Sequence, residues 1–274
     1  MQDILIVIPA RYCSSRFPGK PLVKIAGIEM IKRVADIARY VCDSNHDCRY
    51  LVATDDQRIV DFCQQHQIPV KTTSTSCQSG TERCWDIVAN LEQKPKFIIN
   101  LQGDNPLCPP HVIQALIDTW RHEQADIFTP YIQLSWDEFN QFIENKQMTP
   151  FSGTSVLVNK MGFALAFSKN VLPAIRDLAQ AKKQMAKSPV KRHIGLYGYT
   201  FDALQDYFIL PESLGEKSYI EGLEQMRFLE NGLKVKMVEV DYRGRKTTSG
   251  VDSPEDISRV EQIIAEFGEL ILNQ

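Results

Sequence analysis

No two cysteines of this 274-residue chain are spaced as CxxC, and their total of seven is odd. A disulfide framework would show an even set, so the thiols are read as reduced. Long apolar runs are missing too: Ile4–Ile8 falls far short of the ~20 residues that a membrane helix needs. Neither sign of charge dominates, with 31 Lys and Arg against 34 Asp and Glu and a net charge of −3. A protein that wraps nucleic acid shows a basic excess or a basic face, and this chain shows neither, so no nucleic-acid and no membrane partner is expected. The opening MQDILIVIPAR carries an acid where a secretory signal carries bases, which makes the expected location cytoplasmic. Repeats and low-complexity stretches are absent.

What remains is the composition of a soluble globular enzyme, 43% hydrophobic and 24% charged. A chain of this length can bury roughly 75% of its unfolded surface without staples. One cluster, Cys42, His46 and Cys48, has metal-ligating chemistry, but a structural zinc site needs four ligands and no second half is present. Asp43-Ser44-Asn45 is turn chemistry, so the stretch reads as a turn between helix and strand.

Ile4–Ile8, closed by Pro9, reads as a strand buried on both faces. Met30, Ile31, Val34, Ile37, Ala38 and Val41 recur at spacings of three and four, the pattern of an amphipathic helix. Tyr50–Ala53 reads as a strand, Ile59–Cys63 as helix, the region of Val70 as a short strand, Thr81–Leu91 as helix and Phe97–Leu101 as strand. Such alternation predicts an α/β fold: a mostly parallel, Rossmann-like sheet with helices on both faces. Beyond residue 131 the pattern changes, and 132–192 is read as an inserted, smaller α+β subregion of one domain spanning 1–274. Gln180–Lys187 reads as a solvated helix or loop, His193–Tyr199 as a strand, Tyr219–Asn231 as a helix and Lys234–Val240 as a strand. Ser253-Pro254-Glu255-Asp256 is a helix start, with Ser as cap, Pro at the first position and acids in the first turn.

Ligands of parallel sheets bind beyond the carboxyl ends of the strands, so four loops carry the candidate chemistry. Pro9–Leu22 brings Arg11, Arg16 and Lys20 together with Gly19, a set suited to a polyphosphate, although a plain basic surface loop has the same composition. It is not a Walker A loop, because Pro21 stands where a Ser or Thr would touch magnesium. Gln102-Gly103-Asp104 puts an acid just past a buried strand, where it either holds Mg²⁺ or caps the next helix. Asp252 precedes a helix that Ser253 already caps, so its carboxylate either is a second capping acid or is left for a metal. Gln78-Ser79-Gly80-Thr81-Glu82-Arg83 opens a helix whose N–H groups suit polar ligand atoms, and by itself is no more than a cap.

Taken in order, IPARYCSSRFPGKPL, VATDD, QSGTER, LQGDNP, HIGLYGY, LEQMRFLENG and SGVDSPEDISRV make the chain resemble the CMP-Kdo synthetase (3-deoxy-manno-octulosonate cytidylyltransferase) family. The resemblance covers most of residues 1–110 and 191–260. It implies a nucleotidyltransferase sheet and a Mg²⁺-dependent reaction, in which CTP and a 3-deoxy-2-ulosonic sugar acid (Kdo or a close derivative) give a CMP-sugar and pyrophosphate. It further implies that Arg11, Arg16 and Lys20 hold the triphosphate, that Asp104 and Asp252 hold magnesium, and that Arg11, Lys20, Asp104 and Asp252 are the catalytic set. Gln78, Ser79, Gly80, Arg83 and Gln102 fall to CTP, and His193, Glu224 and Gln225 to the sugar. A homodimer through the insert is implied as well. The alternative is a degenerate homologue that binds nucleotide or a partner without turnover.

Departures from the family pattern fall beside the metal loop, where Asn105 lowers the negative charge, and on the sugar side. Asn105 stands where an acid is usual, Ser155 where a lysine is usual and Lys169 where an arginine is usual. Lysine keeps the charge but loses the bidentate fork. If both positions face the sugar pocket, it is short of one cation and has a second one reshaped; the alternative is that they serve the dimer interface or an ion pair and leave the pocket unchanged.

Overall fold

The computed structural model describes residues 2–13, 17–246 and 250–271. In chain order the elements are β1 (Ile4–Pro9), the short strands β2 (Lys24–Ile25) and β3 (Ile28–Glu29), α1 (Met30–Asp43), β4 (Cys48–Thr54), α2 (Gln57–Gln65), β5 (Val70–Thr72), α3 (Gly80–Ala89) and β6 (Phe97–Asn100). Then come α4 (Pro110–His122), β7 (Ile127–Gln133), α5 (Trp136–Met148), β8 (Thr154–Val158), β9 (Ala164–Ser168), α6 (Leu178–Gln184), β10 (Lys191–His193), β11 (Tyr197–Thr200), α7 (Phe201–Asp206), α8 (Gln225–Glu230), β12 (Val235–Glu239) and α9 (Pro254–Phe267).

The chain forms two compact units, one of residues 1–117, 196–204 and 242–274, the other of 118–195 and 205–241. Residues 132–192, expected as an insert, lie inside the second unit, which also takes in 118–131, 193–195 and 205–241.

In the first unit β5, β4, β1 and β6 lie side by side and parallel, and β11 runs antiparallel to β6. Every residue of β1 and of β6 is buried, which is why neither strand alternates in sequence. The apolar stripe of α1 is buried as its spacing predicts. Helix α9 packs Val260, Ile263 and Ile264 on Ile25, Met30, Leu107 and Val251. In the second unit β12 is parallel to β7, while β7, β10, β8 and β9 pair antiparallel in turn.

Two expectations are corrected. His193–Tyr199 is not one strand: β10 ends at His193, a break follows over 194–196, and β11 begins at Tyr197. The broken stretch keeps strand-like composition, so composition alone does not locate the break. The helix expected over Tyr219–Asn231 spans only Gln225–Glu230. Gly222 sits at φ +62°, a left-handed conformation that ends helical continuity, and the N–H groups of Ile220 and Gly222 both donate to the carbonyl of Lys217 in a turn. The Lys-rich patch is the short α6, with no buried residue. Cys42 Sγ and Cys48 Sγ lie 2.9 Å apart as hydrogen-bonded thiols, a contact that together with burial pushes the Cys42 pKa upward. His46 is exposed, and no group of three or more metal-ligating side chains forms among the described residues.

Candidate active site

The carboxyl ends of β1 and β6, the N-terminus of α3 and the segment before α9 border a cavity of about 200 Å³ in the first unit. At one end lies Lys20, which opens a single 3₁₀ turn held in place where the Gly19 N–H donates to the Tyr12 carbonyl at 2.8 Å. Lys20 Nζ donates to Asp104 Oδ2 at 2.7 Å and to the Val251 carbonyl at 2.8 Å, and lies 3.6 Å from Asp252 Oδ1.

Packing brings these distant residues together. Val251 is buried against α9 and α1, a burial that contributes roughly 1.5–3 kcal/mol for a side chain of its size. Its N–H donates to the Asp104 carbonyl at 2.8 Å. The carboxylate of Asp256 accepts the N–H groups of Asp252 at 2.8 Å and Ser253 at 2.9 Å, so Asp256 closes the start of α9 while Asp252 faces Lys20. Two carboxylates thus converge on one cationic nitrogen. Oxygen donors of this kind suit Mg²⁺, which takes one or two protein carboxylates and completes its shell from phosphate oxygens and water. The donor set fits the expected ion.

At the other end Ser79 caps α3 by accepting the Glu82 N–H at 3.1 Å, and Glu82 in turn accepts the Gln78 N–H at 2.7 Å. The partial positive charge of the helix start therefore faces the cavity, a favourable place for ligand acceptors. Arg83 lines the same wall, but its side chain is 4% exposed and its guanidinium donates to Asp55 Oδ2 at 2.8 Å and Thr73 Oγ1 at 2.6 Å. Arg83 is thus first a brace for the Asp55 turn. Gln102 lines the same cavity, and its Nε2 donates to Asn100 Oδ1 at 3.0 Å. Neither Asn100 nor Asp55 carries a ligand role legible in the sequence; a polar residue inside an aliphatic run is the available signal for Asn100.

Arg11 is exposed, with Nη1 3.5 Å from the Gln78 carbonyl, and Arg16 lies outside the described residues. Tyr12 is covered by the Arg58 guanidinium, 3.3 Å above the ring, and Asp56 grips that guanidinium at 2.9 and 2.7 Å.

The expected sugar residues lie in the second unit. His193 is buried, its Nε2 2.7 Å from Thr129 Oγ1 and its ring edge-on to Phe167. Burial first, and the Lys169 charge second, push its pKa down to about 3, so the ring is neutral at pH 7. Glu224 directly precedes α8 and Gln225, buried, begins it. Lys169 Nζ donates to Thr154 Oγ1 at 3.1 Å, while Glu221 accepts from Ser168 Oγ and from the Lys169 N–H. Lys146 adds a second ammonium, bonded to the carbonyls of Ser152 and Lys169. Desolvation, and then mutual repulsion, lower the pKa of Lys146, and desolvation lowers that of Lys169. Ser155 corrects an expectation: its hydroxyl is wholly buried and engaged with the backbone of Ser168, Asn170 and Leu172, so it stands in no pocket.

The cytidylyltransferase family pattern matches residues 5–237. This chain belongs to that family. It is 44% identical over 98% of its length to the complete 3-deoxy-manno-octulosonate cytidylyltransferase of Maricaulis maris, and 39% identical over 94% to 97% of the corresponding Syntrophotalea carbinolica protein. A solved CMP:2-keto-3-deoxy-manno-octonic acid synthetase, complexed with CTP, superposes with a TM-score of 0.80 at 32% identity, covering 96% of this chain and 98% of that one. As a cytidylyltransferase the chain is a nucleotidyltransferase, and its α/β sheet, parallel at the core and mixed beyond, is the one its family carries.

Proposed function

We propose that this cytidylyltransferase couples CTP to a 3-deoxy-2-ulosonic sugar acid, Kdo or a close derivative, and releases pyrophosphate. The names of its full-length relatives support the substrate class. The observation that carries the chemistry is the convergence of Asp104 and Asp252 on one cationic point at the carboxyl edge of the sheet.

In this reading Arg11, Arg16 and Lys20 take the triphosphate. Arg11 and Lys20 offset the charge that builds as pyrophosphate leaves. Asp104 and Asp252 hold Mg²⁺, which when bound polarises the α-phosphate and favours the ionised form of the attacking sugar hydroxyl. Gln78, Ser79, Gly80 and Gln102 supply polar groups to cytidine, with Arg83 fixing their wall. His193, Glu224 and Gln225 serve the sugar, and Lys146 and Lys169 supply the cationic field that a ulosonate carboxylate needs. A homodimer belongs to the reading too, supported by apolar side chains that the second unit exposes, Met161 before β9 and Leu165 on it among them. A reducing, cytoplasmic setting suits the seven free thiols, and no described helix is long and apolar enough to cross a membrane.

Incubating the protein with CTP, Mg²⁺ and Kdo, and following pyrophosphate, tests the proposal. Release that needs all three supports it. Nucleotide binding with no release from any ulosonate favours the degenerate homologue instead.

A further inference from the structure

An ammonium has three protons to donate. In Lys20 two of them go to Asp104 Oδ2 at 2.7 Å and the Val251 carbonyl at 2.8 Å, and the third side faces Asp252 Oδ1 at 3.6 Å. The Lys20 side chain is only 13% exposed. Held this way, Lys20 has at most one donor left for a phosphate oxygen. It also stands between the two carboxylates assigned above to magnesium.

Two cations do not share that place. Magnesium needs its oxygen ligands at about 2.0–2.1 Å in near-octahedral array, and a neighbouring ammonium bonded to the same carboxylate would compete for its lone pairs and repel the ion. Removing the ammonium with nothing in exchange is equally unfavourable, since the two acids would face each other across a partly desolvated space.

We propose that Lys20 is a built-in cation that keeps the metal site closed in the ligand-free protein and exchanges places with the incoming divalent ion. The proposal rests on the reading of Asp104 and Asp252 as metal carboxylates. The exchange is a side-chain motion. Lys20 Cα is fixed by the 3₁₀ turn and by Pro21, while the flexible four-carbon stem carries Nζ from the carboxylates to the neighbouring cavity, where a triphosphate supplies the anionic partner it has lost.

Coupling between metal and nucleotide follows. Metal alone must displace a tethered competitor and leave it without a partner, so its intrinsic affinity is reduced by the fraction of molecules in the open arrangement. Nucleotide alone meets an ammonium already bonded. Each ligand removes what hinders the other, and linkage makes the assistance reciprocal.

The test is Mn²⁺ binding without nucleotide, followed by calorimetry, to the wild-type protein, Lys20→Met and Asp104→Asn, each checked for folding by circular dichroism. Lys20→Met is expected to bind Mn²⁺ about tenfold more tightly than wild type, an ordinary size for such a coupling. A second measurement needs no variant. Acylation of Lys20 by an N-hydroxysuccinimide ester, read by peptide mass spectrometry, is expected to rise when Mn²⁺ is added and to fall again when CTP follows. Mn²⁺ affinity in Lys20→Met equal to or weaker than wild type, or Lys20 labelling that ignores Mn²⁺, overturns the proposal. The Asp104→Asn arm then tells the two failures apart. Lost Mn²⁺ binding there leaves the metal assignment standing and sinks only the exchange; unchanged binding sinks both.

Discussion

Gly250 lies so close to Asp104 that a Cβ on it would stand 3.0 Å from both the main-chain oxygen and Oδ1 of that residue. Val251 and Asp252, directly after it, meet Asp104 and Lys20 only because the chain can pass at this distance. Gly250→Ala is therefore expected to displace Asp252 from the site. Overpacking of this kind costs about 1–3 kcal/mol, or about 2–4 °C in Tm for each kcal/mol in a chain of this size. Turnover should fall well beyond what that loss of stability explains. Equal kcat/KM in Gly250→Ala and wild type, measured below both melting points, would show that the close approach is incidental.

Asp104→Asn and Asp252→Asn keep the volume of each side chain and remove its charge. Each is expected to lower kcat by about 10²-fold or more, as the loss of a charge-stabilising group does, with Tm nearly unchanged. Raised Mg²⁺ concentration should recover part of the rate in Asp252→Asn, whose side chain is the more exposed at 47% against 30% for Asp104. Rates and Mg²⁺ dependence matching wild type in both variants would remove the metal assignment.

Arg83 and Asp55 separate the framework from the ligand. Removing one partner of a buried pair leaves the other charge unpaired, at a cost of about 3–5 kcal/mol. Asp55 is 20% exposed, so the lower end of that range applies to Asp55→Ala. The expected result is a lower Tm together with a raised KM for CTP, because the brace and the nucleotide wall share Arg83. A large fall in Tm with an unchanged CTP KM would make Arg83 structural alone.

The sequence carried β1, α1 and the start of α9 plainly, since aliphatic run, 3.6-residue stripe and Ser-Pro-Glu-Asp cap are all local signals. It also carried the loops that meet at Lys20, because residues beyond the carboxyl ends of parallel strands converge by geometry. It did not carry the engagement of Arg83 with Asp55, the use of Ser155 by its neighbours' backbone, or the bonding of Lys146 to carbonyls past the end of its own helix. Each is a contact fixed by tertiary packing, and an arginine at a helix start or a lysine at a helix end reads the same whether it faces solvent, ligand or protein. His193–Tyr199 shows the same limit at the level of an element. Its β-rich residues pair in two places, Lys191–His193 with β7 and β8 and Tyr197–Thr200 with β6, and nothing in their composition marks the division.

His193 gives the last prediction, and its sign follows from burial. An unperturbed histidine takes up its proton near pH 6.5, whereas this one, desolvated and near Lys169, does so only at about 3. Between those values the unfolded chain binds a proton that the folded chain refuses. Stability therefore rises with pH across this window, is fully present above about 6.5, and is lost as pH falls, by at most about 1.4 kcal/mol per pH unit for one proton. Urea unfolding at pH 7.5, 6.5 and 5.5 should show wild type losing stability over the last step. His193→Gln keeps a polar group for Thr129 Oγ1 but has nothing to titrate, so its loss over the same step should be smaller. Glu221, Lys169 and Lys146 remain in both proteins, so the difference between the two pH profiles isolates the imidazole. Parallel profiles would mean that His193 takes up its proton in the folded state over the same pH range as in the unfolded chain.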